Sequence, residues 1–429
     1  MEIANKERSN VFLKEILVLF MFLIALRTKQ QLMVLPLLYI LICSLGTMPL
    51  HHVMAVSIFC VPFSNVFKIS LGTISLLSII QLLYVGKYIV SYCRKGKWNL
   101  LSSGSMILWL FIVTVTIING NIPIMRFVNF LLFFIIIFIE NATPNDSKFS
   151  LYGQSFVFGT IASCVVGYFQ TAFPNVVRFI SQVEAMHEGK TVYGRFVALT
   201  EDPNILSIFI LFSVAIVIAL YFRKIIKMGW LIVQLVLLVF FGMLTYSKLF
   251  IIGLGLITIV ALLLFTQGEN LKRSLLLATA GFIIVIIAYN NGFFDTFIKV
   301  MGYRLGVTSN ADFSSGRFDI WLRFYHSMNE SIHAWFIGYG VGGGMLSYKA
   351  SHNSFVEVIY SLGVVGFFGY LAFLKQYVWS KNKVSLLLLC ALLWSTLSID
   401  VFIQDYFYYI LVILIASKNL FESRQLVNG

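Results

Sequence analysis

Residues 204–222 read NILSIFILFSVAIVIALYF, with no charged side chain among them. The length matches the roughly 20 apolar residues that cross a hydrocarbon core. Similar runs lie near 11–26, 32–48, 51–62, 71–92, 104–119, 126–140, 151–173, 230–245, 249–266, 275–290, 355–374, 384–398 and 401–416. Those before residue 70 are short enough to merge. The expectation is therefore an all-α polytopic membrane protein with about 12 transmembrane helices. It is read as a single membrane domain over residues 1–429, interrupted by one long extracytoplasmic loop, 291–353, that carries short helices.

Composition excludes an ordinary soluble domain: 59% of residues are hydrophobic and 11% charged, against about 25% charged in soluble domains. No early apolar run is followed by a small-residue cleavage site, so no cleaved leader is expected. Cys43, Cys60, Cys93, Cys164 and Cys390 all lie within or at the ends of apolar runs. They lack paired spacing and neighbouring His ligands, so neither a disulfide framework nor a zinc site follows. The net charge of +13 is scattered in short clusters between apolar runs. It reflects topology rather than nucleic-acid binding.

Those clusters orient the chain. Lys375, Lys381 and Lys383, then Lys272 and Arg273, then Arg223, Lys224 and Lys227, and finally Arg94, Lys95 and Lys97 mark cytoplasmic connections. Alternation places 174–203, the turn around Ser247 and Lys248, and the segment 291–353 on the opposite face. No repeat, heptad or low-complexity tract stands out.

The polar sequence on that opposite face carries the candidate chemistry. In GRFVALTEDPN, residues 194–204, Asp202 is placed to cap a helix beginning at Pro203, which accounts for Asp202, Pro203 and Asn204 as a helix start. Arg195 opposes the charge bias and has no capping role, so it is an anion-binding candidate. In LTYSK, residues 244–248, Lys248 either snorkels to the interface or adds a second cation. The segment 291–353 sets Lys299, Arg304, Arg317, Arg323 and Lys349 against Asp295, Asp312, Asp319 and Glu330. It is nearly neutral, so bulk electrostatics is not its purpose.

Arg317 follows Gly316, where the backbone can approach a ligand closely, and its guanidinium fork matches phosphate oxygens. Pairing with Asp319 or Glu330 is the alternative for Arg304 and Arg323, and is expected for Arg323. Residues 318–328 are amphipathic enough for a short helix on the membrane surface. GYGVGGG, residues 338–344, cannot be a low-cost regular helix, and reads as a flexible or tightly turned lid. Asn353 or Ser354 serves as a helix cap. His352 has no such explanation, and its ring can accept or donate a proton near neutral pH. His51, His52, His187, His326 and His333 are read as structural. Several cations, one well-placed histidine and no acidic DxD-type cluster suit displacement of pyrophosphate from an anomeric carbon. That reaction needs cations to stabilise the leaving charge and an acceptor to orient the attacking hydroxyl.

At this point the residues resemble a family. GRFVALTEDPN, the LTYSK turn, SGRFDIW, IGYGVGGG, SHNSFVE and SLGVVGFFGYL are similar to motifs of the O-antigen polymerase and O-antigen ligase superfamily, the Wzy/WaaL type, over roughly residues 190–375. The resemblance implies a GT-C-like membrane glycosyltransferase of the bacterial inner membrane. Its active face would be extracytoplasmic, acting without metal or other cofactor on undecaprenyl-pyrophosphate-linked oligosaccharide. Arg317 resembles the loop arginine that holds pyrophosphate, His352 the histidine that activates or orients the acceptor, and Arg195 the arginine of the earlier outer loop. Lys248 departs from the usual arginine, keeping the charge and losing bidentate geometry. With Arg304, these form the expected site.

The expected function is a polysaccharide polymerase joining a glycan to the non-reducing end of a lipid-linked repeat unit. The alternatives are a ligase using lipid A-core as acceptor, a protein O-oligosaccharyltransferase, or a lipid-linked glycan transporter. Charges gathered at one interface, without paired repeats, weigh against transport. Membrane lipids are expected partners, there is room for a chain-length regulator protein, and nucleic acid is not a partner.

Overall fold

The computed structural model describes residues 2–28, 35–63, 76–95, 103–120, 124–145, 147–172, 182–188, 191–200, 202–265, 290, 292, 294–304, 316–343, 351–380, 382–400 and 404–428. Among them the fold is all-α, with 16 helices and one two-stranded hairpin. The first seven helices are α1 (Glu2–Thr28), α2 (Leu35–Thr47), α3 (Leu50–Cys60), α4 (Leu76–Lys95), α5 (Ser103–Asn119), α6 (Ile124–Ala142) and α7 (Lys148–Ala172). After the hairpin come α8 (Pro203–Phe222), α9 (Met228–Leu244) and α10 (Lys248–Phe265). Three short helices follow, α11 (Asp295–Arg304), α12 (Arg317–Asn329) and α13 (Ile332–Ile337), within the segment expected to form the long loop. The last three are α14 (Ser354–Val378), α15 (Lys383–Ser398) and α16 (Asp405–Asn428).

Four helices are long and apolar enough to cross a membrane: Lys148–Gln170 within α7, then α8, α10 and α14. Shorter apolar helices, α9 and α15 among them, stand beside these. Helices α2 and α3 stay separate, parted at Met48 and Pro49. The run expected at 275–290 lies, except for residue 290, outside the described residues. Helix α8 is apolar all round and packs on α7, α9, α10 and α15, which explains why it is buried along most of its length. Helix α10, by contrast, turns Ile252, Ile259 and Leu263 outward.

The hairpin was not anticipated. Strands β1 (Gln182–Glu188) and β2 (Thr191–Phe196) pair antiparallel, with Val183 opposite Arg195 and an irregularity between Glu184 and Met186. It adds a backbone ladder to the connection 174–203, with β2 ending at Phe196 and α8 beginning at Pro203.

One buried ion pair ties three helices together. Glu140 of α6 pairs with Lys148 of α7 at 2.7 Å, accepts a hydrogen bond from Tyr84 of α4, and accepts another from Tyr152 of α7 at 3.1 Å. Lys148 also donates to Thr143 Oγ1 at 2.9 Å. Glu140 and Lys148 are 1% and 4% exposed, and removing one partner from such a pair costs about 3–5 kcal/mol. Glu140→Leu or Lys148→Met alone is expected to lower the Tm of the detergent-purified protein, and the double variant to recover most of the loss. If the double variant is as unstable as either single one, the coupling is absent.

Helix α14 is broken at Gly363, whose φ of 64° and ψ of −174° suit glycine alone. A Cβ at Gly363 would sit 2.3 Å from the Phe336 carbonyl carbon, and one at Gly338 would sit 2.4 Å from Leu362 N. The backbone of 338–343 fits this break: Tyr339 N–H donates to Tyr360 O at 3.0 Å and Gly340 N–H to Ser361 O at 2.8 Å. Those carbonyls lose their helical partners where α14 breaks, and the neighbouring segment supplies replacements. Val341, fully buried, donates to Thr116 Oγ1 of α5 at 3.3 Å. Of the two expectations for the Gly-rich stretch, the described part shows the tightly turned one, wedged between α5 and α14.

The break also changes direction. From Val378, α14 climbs back to Gly363 over about 22 Å, and from Lys383 α15 climbs to Ser398 over about 22 Å, at 1.5 Å per residue. Yet Asn353 Nδ2 donates to Leu397 O at 3.2 Å and Ser354 Oγ to Ile399 O at 2.9 Å. The first part of α14, residues 354–362, therefore adds almost no height. It lies across the end of the bundle. Helix α12 packs along it through a small separate core of Phe324, Met328, Ala334 and Tyr360.

Candidate functional site

At this end of the bundle lies a cavity of about 380 Å³, lined by Arg195, Asn204, Lys248, Leu249, Ile252, Arg304, Arg317, Phe318, Trp321, His352, Trp394 and Ser398. The volume falls within the usual range for small-molecule sites. All five residues singled out in the sequence, Arg195, Lys248, Arg304, Arg317 and His352, reach it from five separate stretches of chain.

Each is held by a local device. Arg195, on β2, donates from Nε to Thr245 O and from Nη2 to Asn204 Oδ1, both at 3.0 Å. Asp202 caps α8, accepting from Asn204 N at 2.6 Å and Ile205 N at 3.2 Å, with Pro203 at the first helical position, as expected for that sequence. The turn between α9 and α10 puts Tyr246 at φ 45°, which sets Lys248 at the start of α10. Arg304, the last residue of α11, donates to Tyr246 O. Arg317 opens α12, immediately after Gly316 at φ 77°, a left-handed turn that glycine adopts without steric cost.

His352 has φ 53°, strained for a side chain with a Cβ. Its neighbours fix it there. Trp321 Nε1 donates to Ser351 O at 2.8 Å, Ser351 Oγ donates to Asn353 O at 2.8 Å, and Asn353 Oδ1 caps α14 by accepting from Phe355 N at 2.9 Å. Trp321 stands one helical turn after Arg317, so one helix delivers the cation and clamps the histidine's backbone.

The electrostatics are one-sided. None of the three guanidinium groups has a carboxylate at salt-bridge distance among the described residues. Burial, then repulsion from Arg304, pushes Arg195 down to about 9, with Asp202 opposing. It remains a cation at neutral pH, held where an anion would relieve it. Arg304 is lowered by burial and by Arg317; Arg317 is lowered by burial against the pull of Asp202. His352 is lowered from 6.5 by burial and then by Arg317, so its ring is neutral at pH 7. Among the described residues, no cluster of three His, Cys, Asp or Glu side chains is placed to hold a metal.

The sequence reading did not select Asn204, Trp321 or Trp394. Asn204 was assigned to the helix start, yet its Oδ1 accepts from both Arg195 and Ser247 Oγ at 3.0 Å. With the oxygen so engaged, the amide NH₂ is the group left to donate to a ligand. Trp394 Nε1 donates to Leu249 O at 2.9 Å, which fixes an aromatic wall on the α10 and α15 side. Asn204 and Trp321 lie inside the quoted motifs GRFVALTEDPN and SGRFDIW, whereas Trp394, in the apolar run 384–398, had no signal. The expected pairing of Arg323 is corrected: it is exposed on α12 and forms no ion pair with Asp319 or Glu330 among the described residues, since an exposed pair gains little over the solvation that each charge keeps.

A hydrogen bond to a charged group contributes about 1.5–3 kcal/mol. Asn204→Ala is accordingly expected to weaken the binding of a phosphate-bearing anion in the cavity by about 10-fold or more, each factor of ten being about 1.4 kcal/mol. Asn204→Asp should weaken it further by setting a carboxylate against Arg195. Isothermal titration with farnesyl pyrophosphate checks this, and equal affinity in all three proteins would remove Asn204 from the site.

Compared with known proteins, the chain matches no family model and no curated sequence.

Proposed function

We propose that this chain is a multi-pass protein of the bacterial inner membrane, with about a dozen crossings, that transfers a glycan from undecaprenyl pyrophosphate on the extracytoplasmic face. The favoured reaction is polymerisation: the growing glycan is joined to the non-reducing end of a newly arrived lipid-linked repeat unit. The observation that carries this reading is the convergence of Arg195, Lys248, Arg304, Arg317 and His352 on one cavity at one end of an apolar bundle. The end that carries Arg223, Lys224 and Lys227 supports the orientation, since basic connections stay in the cytoplasm.

The chemistry follows from the residues. The pyrophosphate lies among the guanidinium groups and Lys248, which stabilise the charge that grows as the anomeric C–O bond breaks. The acceptor hydroxyl hydrogen-bonds to the neutral His352 ring and attacks the anomeric carbon. A new C–O bond forms, undecaprenyl pyrophosphate leaves with the electron pair, and the hydroxyl proton passes to His352. Leu249, Ile252 and Trp394 form an apolar wall one turn inside α10 and α15, suited to the first carbons of the lipid. Phe318 and Trp321 offer aromatic faces on the opposite wall.

The test is a purified, reconstituted protein given undecaprenyl-pyrophosphate-linked repeat units without lipid A-core. A ladder of polymer supports polymerisation. Transfer that requires added lipid A-core makes the protein a ligase, and no transfer with either acceptor removes the glycosyltransferase reading.

A further inference from the structure

Helix α12 has three faces rather than two. Phe324, Ser327 and Met328 are buried against α13 and the first part of α14. Phe318, Leu322 and Tyr325 form a second face, 67%, 54% and 52% exposed, at the i, i+4, i+7 spacing of one helical stripe. Asp319, Arg323 and His326 form a third, exposed and polar. A helix at the edge of a soluble domain needs only a buried face and a polar one. Packing among the described residues does not account for the additional apolar stripe.

Its position indicates what covers it. Residues 354–362 lie across the end of the bundle, level with the last turn of α15, and α12 runs along them. The stripe is therefore at the height where the apolar helices end. It also adjoins their outward surface at the cavity, which Phe318 and Ile252 both line; Ile252 is 47% exposed on α10, followed by Ile259 at 57% and Leu263 at 73%. Helix α13 extends the band with Ile332 and Phe336, 78% and 55% exposed. Mixed aromatic and aliphatic side chains beside a charged face are what a helix lying in the membrane–water interface presents.

We propose that α12 is an interfacial helix whose Phe318–Leu322–Tyr325 stripe is seated in phospholipid of the outer leaflet, while Asp319, Arg323 and His326 face water. This rests on the reading of the chain as a multi-pass membrane protein. The helix that carries Arg317 is then held at a fixed depth by lipid, and the cavity that Phe318 and Ile252 line lies at the level of the bilayer. A lipid-borne anion reaches the cations without leaving the membrane plane.

The test is site-directed spin labelling of the full chain in lipid nanodiscs. Cys43, Cys93 and Cys390 are replaced by Ser, and the fully buried Cys60 and Cys164 are kept. Single cysteines are introduced as Phe318→Cys, Leu322→Cys, Tyr325→Cys, Asp319→Cys, Arg323→Cys and His326→Cys, with Ile259→Cys on α10 as a membrane reference. The six α12 positions were chosen as exposed, so that the labels do not disturb the core. Relaxation is measured with oxygen, which concentrates in lipid, and with a water-soluble nickel chelate. The expected result is oxygen-dominated relaxation at 318, 322 and 325 and nickel-dominated relaxation at 319, 323 and 326, a change of sign in the depth parameter between the two faces. Nickel access at all six, with oxygen access at 259, overturns the interfacial helix and leaves the membrane reading intact. Shielding of 318, 322 and 325 from both reagents means that a protein partner or a second copy covers the stripe, which also overturns it. Absence of oxygen access at 259 overturns the membrane reading itself.

Discussion

In the proposed polymerisation, Arg317→Ala is expected to lower the rate by at least about 100-fold, the usual effect of removing one preorganised donor from developing negative charge. The residue sits at the junction of the site. It opens α12 after a left-handed glycine, lines the cavity, and is close enough to His352 and Arg304 to lower both. Arg317→Lys keeps a charge and loses the planar fork, so it should recover only part of the rate. The assay is the reconstituted ladder described above, with Tm recorded in parallel to separate loss of chemistry from loss of fold. Wild-type rate in the folded Arg317→Ala protein would take the pyrophosphate away from α12 altogether.

The second large effect is expected at His352. General-base catalysis contributes about 10²–10⁴-fold, so His352→Gln should lose activity within that range. The pH profile provides the sharper check. Burial and Arg317 both disfavour the protonated ring, so the folded protein protonates His352 only below the ordinary value near 6.5. Activity should be flat from neutral pH until Arg195 begins to lose its proton toward about 9, and fall on the acid side below about 6.5. In Arg317→Ala the repulsion is gone, and the acid limb should move to higher pH in whatever activity remains. In His352→Gln that limb should vanish. An unchanged acid limb in His352→Gln would assign the titration to another group, and with it the role of base.

The two variants also test the coupling that α12 provides. Trp321 holds Ser351 O, and the residue after Ser351 is His352. A disturbance of α12 therefore reaches the histidine through one hydrogen bond. The strained backbone at His352 persists because Trp321, Ser351 and Asn353 over-determine it.

Much of this was legible from residue patterns. The helices coincide closely with the apolar runs: 204–222 became Pro203–Phe222, 249–266 became Lys248–Phe265, and 384–398 became Lys383–Ser398. The caps at Asp202 and Asn353 followed from side-chain chemistry alone. Arginine and histidine in lipid-rich sequence are costly, which is why they could be picked out as a group. The two-stranded hairpin was not legible, because its strands lack a clean alternation of apolar and polar residues. The roles of Asn204 and Trp321 were hidden because each also has an ordinary helical explanation.

The sequence by itself determined where the helices lie, how several of them start, and which polar residues stand apart from the apolar bulk, because these depend on hydrophobicity, capping and steric preference acting over one or a few turns. Only the tertiary structure decided that Arg195, Lys248, Arg304, Arg317 and His352 share one cavity. It also decided that α14 breaks at Gly363 to lie across the bundle's end, and that Phe318, Leu322 and Tyr325 remain uncovered. These depend on contacts between residues far apart in the chain, such as Trp394 with Leu249 and Tyr339 with Tyr360, which no local pattern encodes.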